Sequence, residues 1–504
     1  MAATVGESLD ARLEPQHLAR AMGPLDATMI VVGSMIGSGI FLVSAESSRM
    51  VGAPGWLLVA WGVAGVMTMT GALSCAELAA MMPRAGGQYV FLREAYSPAV
   101  GFLFGWAFLF IIQTGTIAAV GVAFANFLGV LVPQVSPSDY LIAPLVFGRY
   151  AVSLSLQQSV AIAMILLLTV VNTRGLRLGT IIQNTLTSIK TVALLGVVIV
   201  GLTLGANRGG AAFTAAWWNP VANGWDPQRA QAGLGLTGGL ALAALFGRAM
   251  IGPLFAQSAW NNVTFTAGEM RDPGRTLPRA LIAGCGLVVA LYMLTNVAYL
   301  VTLPFAGIQA APQDRVATAV MQAVFGRIGT LVMASAIVIS TFGANNGLIL
   351  AGARVMYAMA CDGVLFRRMG TVNAHRVPAV ALVAQGVWAS ALTLVRTVTR
   401  DPHTGATTYG NVYTQLLEYI VSADLVFYIL MVAAVIILRR KAAEVARPHR
   451  TIGYPVVPIV YIVLASVLVI DLAYVTPLTA GVGYLLVLTG VPVYLIRSRV
   501  SPTS

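Results

Sequence analysis

Midway along its first long apolar segment the chain reads Gly33-Ser34-Met35-Ile36-Gly37-Ser38-Gly39-Ile40-Phe41. Glycine is the poorest ordinary helix former and brings no side chain to pack. Gly37-Ser38-Gly39 therefore interrupts a helix that its apolar flanks would otherwise continue. Hydrocarbon cannot solvate the N–H and C=O groups freed by such a break, so unwound backbone at membrane depth is tolerated only where it lines a cavity in the protein. A second interruption is read at Phe255-Ala256-Gln257-Ser258-Ala259-Trp260. Two interrupted helices in corresponding positions of two halves point to a binding site near the bilayer midplane. The competing reading is a small-residue face for close helix packing.

Membrane depth follows from composition. Hydrophobic residues make up 58% of the 504 and charged residues only 10%, against about 25% charged in soluble domains. Spanning a bilayer takes ~20 apolar residues. Such stretches are read at 27–44, 56–80, 99–129, 157–172, 180–204, 239–266, 279–303, 328–359, 377–396, 412–438, 455–475 and 478–496. The expected fold is an all-α polytopic membrane protein with about twelve transmembrane helices. An even count places both termini on one side. The first thirty residues carry Asp10, Glu14, Pro15 and Arg20 and do not read as a cleaved signal peptide.

The net charge of +12 raises the question of a nucleic-acid partner, and its distribution answers it. With the N-terminus in the cytoplasm, twenty of the 30 Lys and Arg residues fall on the cytoplasmic side, among them Arg84, Arg174, Arg271, Arg354, Arg367 and Arg439. Eight fall outside, and Lys190 and Arg248 lie within spans. This is the positive-inside bias, a topology signal rather than a nucleic-acid patch. Cys75, Cys285 and Cys361 lie in or at the ends of spans with no metal or redox spacing, so structural disulfides are not expected.

The spans divide into two sets of five plus two. The boundaries are 1–23 for an N-terminal segment, 24–205 for the first set, 206–236 for an outer connection bearing Trp217, Trp218 and Trp225, 237–440 for the second set, and 441–504 for the last two spans with a short tail. Five is odd, so the second set enters the membrane from the opposite side, an inverted repeat. Each set opens on its interrupted helix.

Three segments carry a resemblance: GSMIGSGIF at 33–41, GALSCAELAAMMPRAGGQYVF at 71–91 and WNNVTFTAGEMRDPGRTLPRA at 260–280. In this order they resemble the amino acid–polyamine–organocation (APC) transporters, and within them the bacterial relatives of the L-type amino-acid exchangers. The resemblance covers about residues 24 to 450. It implies a leucine-transporter-type 5+5 inverted repeat with broken helices 1 and 6, alternating access and an α-amino-acid substrate. Exchangers of this type in animals join a heavy chain through a cysteine in the outer loop after span 3. Residues 129–157 contain no Cys, so no disulfide-linked heavy chain is expected, and the chain is read as a monomer or weak homo-oligomer.

An amino-acid zwitterion presents a carboxylate and an ammonium. Backbone N–H groups at an exposed helix N-terminus suit the carboxylate. Gly37, Ser38 and Gly39 supply that terminus, with the Ser38 hydroxyl as a further donor. By the geometry of the breaks and by similarity to the family, the carbonyls of Ile36, Phe255 and Ala256 face the ammonium. Phe255 either gates the site or packs as an ordinary aromatic. Ser258 belongs to the same break. Gln257 departs from the aromatic or small residue expected there, and either meets a polar substrate side chain or caps unwound backbone. Trp260 and Asn261 shape the pocket floor, while Gln113, Thr114, Asn345 and Asn346 are polar residues facing the same cavity or bonding helix to helix.

Lys190 is the sharpest single ionisable residue. Either it snorkels to the interface, or, as the resemblance implies, its ammonium fills the cation position of sodium-coupled members. It would then reach the span 1 break and the region of Ser340 and Thr341. Arg248 either pairs with an acid such as Glu418 or lines an outer vestibule. Asp424 is a partner or proton site that the sequence leaves open. Glu77 and Glu269 look like gate contacts for Arg84, Arg271 and Arg275.

There is no nucleophile–base arrangement, phosphate loop or metal cluster in the sequence, and no cofactor is expected. The reading is a sodium-independent amino-acid transporter of the cell membrane, working by exchange or proton coupling. Its alternatives are a sodium-coupled symporter of the same fold and a transporter of polyamines or other organic cations. A membrane enzyme or non-transporting sensor lacks the catalytic constellation or signalling domain it would need.

Overall fold

A computed structural model describes residues 22–83, 86–174, 179–206, 216–226, 234–363, 365–375, 377–400 and 407–500, with side chains at 179–187, 268–269 and 497–500 not described. Among these residues nine helices are long and apolar enough to cross a membrane, and the bent pair α1 (Pro24–Met35) and α2 (Gly39–Val51) makes a tenth span. Two shorter apolar helices, Ala379–Leu392 and Ala480–Ile496, occupy the two remaining expected stretches.

Proline and small polar residues set the helix starts. Pro24 opens α1, and the Gly23 amide is held by Asp26 at 2.9 Å. Pro54 opens α3 (Pro54–Met81) directly after Gly52, whose φ of 68° ends α2. Pro98 opens the third span, α4 (Pro98–Leu131), and Pro273 opens α8 (Pro273–Thr302). Such prolines lose nothing, because the first helical N–H has no intrahelical partner. Between them lie α5 (Leu156–Thr173), α6 (Gly179–Val200) and α7 (Gly238–Ala249). The chain continues with α9 (Val316–Cys361), α10 (Val412–Lys441) and α11 (Val456–Val475). Helix α9 bends at Gly326, which adopts φ 62°, so its membrane part starts close to the expected 328.

Around the first break, α8 packs along α3 and α1, and α9 along α4 and α6. The core is the surface these helices share, with Trp61, Tyr292, Tyr299 and Lys190 all fully buried in it. One element departs from the all-helical expectation. The loop after the third span forms strands β1 (Tyr140–Phe147) and β2 (Tyr150–Ser155), which join β3 (Val395–Arg400) and β4 (Thr407–Tyr409) in an antiparallel sheet. Phe147 pairs with Tyr150 across a two-residue turn in which Gly148 takes φ 62°. Aromatic and β-branched residues flanking such a turn are a hairpin signal that the span count had absorbed into a loop.

Candidate functional site

Both interruptions are present in the backbone. Helix α1 stops at Met35, Ile36 takes an extended ψ of 90°, and α2 leaves at 43° to α1. After the break the Phe41 amide bonds the Ser38 carbonyl at 3.2 Å, so the amides before it present the open end of a half-helix. The second interruption follows the short helix Ile251–Ala256. Ala259 takes φ 64°, and the chain continues as a 3-10 helix from Trp260 to Glu269.

The two interruptions touch. A Cβ on Gly39 would stand 2.7 Å from Ala256 Cβ and 2.9 Å from Ala256 Cα, so only glycine lets these backbones approach. Beside this contact lies a cavity of about 430 Å³ lined by both interruptions and by α1, α4 and α9. That volume falls within the ~300–1,000 Å³ of small-molecule sites. Gly37, Ser38, Gly39, Phe255, Ala256 and Ser258 line it, as the sequence reading expects. Residues not anticipated also line it, among them Asp26, Thr116, Asn262 and Arg354. For Thr116 a signal is at hand in helical spacing, three residues on from Gln113, whereas the sequence reads Arg354 only as a cytoplasmic-side charge.

Other expected residues lie elsewhere. Ile36 is fully buried and does not line the cavity. The Phe255 carbonyl, expected to face an ammonium, already accepts from the Ser258 amide at 3.1 Å and the Ser258 hydroxyl at 2.7 Å. Gln257 turns away and donates to the Trp61 carbonyl at 3.2 Å, while its Oε1 has no partner. Trp260 stacks on Tyr428 with centroids 5.2 Å apart. Asn261 donates to Gln88 Oε1 at 2.8 Å, and Gln113 donates to the Leu348 carbonyl at 2.6 Å. Asn346 accepts from Asn172 at 2.8 Å, and Asn345 donates to the Ile117 carbonyl at 3.3 Å. Thr114 bonds the Leu109 carbonyl of its own helix, within a π-helical turn at Phe108–Ile112.

Lys190 is 1% exposed, which excludes the snorkelling geometry. Its Nζ donates to the Gly33 carbonyl, one turn before the first break. The expected contact with Ser340 is not made, since Ser340 Oγ has no partner, and the Thr341 hydroxyl bonds the Ile337 and Val338 carbonyls of its own helix. The other α1 carbonyl at the break, Met35, accepts from the Tyr292 hydroxyl at 2.8 Å. A cation and a phenol from two neighbouring helices thus hold the backbone that the break frees.

The cavity has one closed end. Ser38 Oγ and the Tyr413 hydroxyl are 3.1 Å apart, and Phe255 meets the Tyr413 ring edge to face at 6.3 Å. Above them Arg248 pairs with Glu418 at 3.2 Å, and Thr479 donates to the same carboxylate at 2.5 Å. Of the two readings of Arg248, this is the paired one. Arg49 joins Asp314 at 2.6 Å and the Gln309 carbonyl at 2.7 Å in the same layer. The opposite end carries Met22, Asp26 and Arg354 in the cavity wall. Away from the cavity, Glu77 pairs with Arg439 at 2.7 Å and with Arg447 at 3.5 Å and accepts the Thr451 amide at 2.7 Å, rather than meeting the expected Arg271 or Arg275. Arg84 lies outside the described residues, as does the Glu269 side chain.

Comparison with known proteins places this geometry. A family model described as amino acid permease matches residues 22–496. The large neutral amino acids transporter small subunit 2 of Mus musculus is 29% identical over 486 residues, covering 95% of this chain and 81% of that protein. The serine/threonine exchanger SteT of Bacillus subtilis (strain 168) is 28% identical over 489 residues, covering 95% and 97%. The Asc-type amino acid transporter 1 of Homo sapiens is 28% identical over 490 residues, covering 95% and 82%. With almost its whole length matched by that one model, the chain belongs to the amino acid permease family of the APC superfamily.

Proposed function

We propose that the protein is a sodium-independent amino-acid exchanger of the cell membrane, with both termini cytoplasmic. The observation that carries this reading is the meeting of both helix interruptions at one cavity, with the Lys190 ammonium bonded beside the first. The substrate carboxylate meets the amides of Gly37, Ser38 and Gly39 at the start of α2, where the helix dipole adds attraction. With the Phe255 carbonyl already engaged, the ammonium meets the Ala256 carbonyl and the Ser258 hydroxyl. The relatives named as amino-acid transporters and as a serine/threonine exchanger support an α-amino-acid cargo and exchange. Nothing in the site or the family is enzymatic.

The 5+5 division at 24–205 and 237–440 is part of the same reading. Each half opens on an interrupted helix, as inverted repeats with a midplane site do. Residues 1–23, 206–236 and 441–504 then serve as the N-terminal segment, the outer connection and the two peripheral spans. Lys190 takes the place of a coupling cation, because its ammonium already occupies the carbonyl that such an ion would need. Gln113, Gln257, Trp260, Asn261 and Asn346 shape the walls beyond the backbone site. The protein acts without a disulfide-linked heavy chain, as a monomer or weak homo-oligomer.

Counterflow in proteoliposomes tests the reading. Vesicles loaded with unlabelled amino acids should accumulate labelled amino acid to the same extent in sodium and in choline. Uptake that needs external sodium supports the symporter alternative. Uptake of polyamines with no amino-acid competition supports the organic-cation alternative.

A further inference from the structure

Behind the second interruption lie two small hollows of about 30 Å³ each, and Asp424 of α10 lines both. Ser258, Ala259, Thr116 and Asn262 line the nearer hollow and the main cavity alike, so the nearer hollow adjoins the main cavity across these residues. Asp424 is 8% exposed and makes no ion pair among the described residues. No described residue lining either hollow is basic. The Tyr428 hydroxyl is within reach of the carboxyl but donates to Asn261 Oδ1 at 3.2 Å. An ionisable side chain at membrane depth is expensive, and it marks a substrate, ion or proton path.

The groups around Asp424 have one chemical character. Gln257 is 1% exposed and leaves Oε1 without a partner in the farther hollow. Trp260 and Tyr428, stacked on each other, and Tyr461 complete its wall with aromatic rings. A carboxylate, a free amide oxygen and aromatic faces all favour a positive charge. The buried unpartnered donor at the nearer hollow, Gln88 Nε2, is a neutral amide and does not balance a carboxylate. A water-sized group needs about 10–15 Å³ by the same measure. Each hollow therefore takes an ammonium but not the four heavy atoms of a guanidinium.

We propose that Asp424, with Gln257 Oε1 and the Trp260–Tyr428 pair, forms a subsite for the terminal ammonium of a substrate side chain, so that the preferred cargo is an α,ω-diamino acid such as lysine or ornithine. This rests on the reading of the two interruptions as the site for the α-carboxylate and α-ammonium. Asp424 is the specificity-determining residue. It selects the far end of the side chain and leaves recognition of the α-groups to the backbone.

The test is competition in proteoliposomes between labelled L-lysine, L-ornithine, L-arginine and L-leucine. Lysine and ornithine should outcompete arginine and leucine in the parent protein. Asp424→Asn should lower the lysine-to-leucine ratio at least tenfold. Asp424→Glu reaches one methylene further into the hollow and should move preference from lysine to the shorter ornithine, which a merely structural role would not do. If Asp424→Asn does not fold, the parent's selectivity and the Asp424→Glu shift decide. A parent that carries neutral amino acids but no diamino acid overturns the subsite and leaves the exchanger reading standing. So does neutral uptake coupled to proton entry through Asp424. A parent that carries no amino acid overturns both.

Discussion

Gly37 and Gly39 sit two residues apart in one break, and the structure gives their substitution by alanine opposite outcomes. At Gly39 the new Cβ would lie 2.7 Å from Ala256 Cβ and 2.9 Å from Ala256 Cα. Carbon atoms rest at about 3.5–4.0 Å, so the two interruptions would have to part by about 1 Å. The obstacle includes backbone, which cannot swing aside as a long side chain can. Overpacking of this kind costs about 1–3 kcal/mol, and the better helix propensity of alanine returns only about 0.5–1 kcal/mol. At Gly37 the nearest atom to a built Cβ is the Met35 carbonyl oxygen at 3.9 Å, and the backbone there is not in the left-handed region. Gly37→Ala is therefore free of strain, but its methyl projects where the substrate carboxylate approaches the amides. Loss of one hydrogen bond to a charged group, about 1.5–3 kcal/mol, corresponds to roughly 10- to 150-fold in affinity. Scanning fluorimetry of the purified protein with titrated amino acid reads both quantities. Gly39→Ala should lower the unfolding midpoint, and Gly37→Ala should keep the midpoint and lose the ligand-induced rise. Parent-like binding by Gly37→Ala would remove the carboxylate from the first break. A Gly39→Ala protein as stable as the parent would refute the packing argument.

Lys190→Ala leaves the Gly33 carbonyl buried without its donor, a loss of about 1–3 kcal/mol, and exchange should slow by one to two orders of magnitude in initial-rate assays, with no response to sodium. Tyr413→Phe removes the hydroxyl facing Ser38 and should raise labelling of a cysteine placed at the closed end by a membrane-impermeant maleimide. Glu77→Gln removes the charge paired with Arg439 and Arg447 while its amide oxygen can still accept from the Thr451 amide, and should lower the unfolding midpoint because two guanidinium groups lose their carboxylate partner; an unchanged midpoint would mean that the ion pairs contribute nothing measurable. Non-reducing gels of material from its native membrane should show no covalent heterodimer.

Much of this architecture was legible because membrane folding is governed by a few strong terms. Apolar length gave the spans, and Gly37-Ser38-Gly39 gave the first interruption, since a lipid-embedded chain cannot hide either signal. The direction in which a polar side chain turns was not legible. Gln113, Gln257, Asn261 and Asn346 were all read toward one cavity, yet each makes an amide hydrogen bond to a neighbouring element, Gln257 through its Nε2 alone. In a low-dielectric interior a long polar side chain takes the nearest free carbonyl or amide, and that depends on tertiary neighbours rather than on its position in the sequence. Lys190 was ambiguous for the same reason. Its place in the sequence fitted snorkelling or burial, and the packing of α6 against α9, α8 and α1 removed it from solvent. The hairpin at 140–155 was hidden because 129–157 reads only as the outer loop between two spans, and the span signal of apolar length says nothing of short strands.

The asymmetry between the two ends of the cavity bears on how exchange proceeds. One end is closed by Ser38 on Tyr413, by Phe255 on the same ring, and by the Arg248–Glu418 and Arg49–Asp314 pairs. Opening that end requires breaking these contacts while the other end closes around Asp26 and Arg354. Neutral hydrogen bonds contribute about 0.5–1.5 kcal/mol each and hydrogen bonds to charged groups about 1.5–3 kcal/mol, so the closed end is held by several kcal/mol. That is the range in which a bound substrate shifts a two-state equilibrium, but only by its difference in affinity between the states. Ser38 lies at the centre of that difference. Its hydroxyl contacts Tyr413 in the closed end and stands in the break that is proposed to take the carboxylate. Where Ser38 is the donor to Tyr413, a substrate carboxylate that accepts the Ser38 proton in a hydrogen bond weakens that contact in the same step. Binding and opening are thereby coupled through one side chain, and an empty carrier, which has no such competitor, keeps the end shut. Exchange depends on a coupling of this kind, in which reorientation follows substrate.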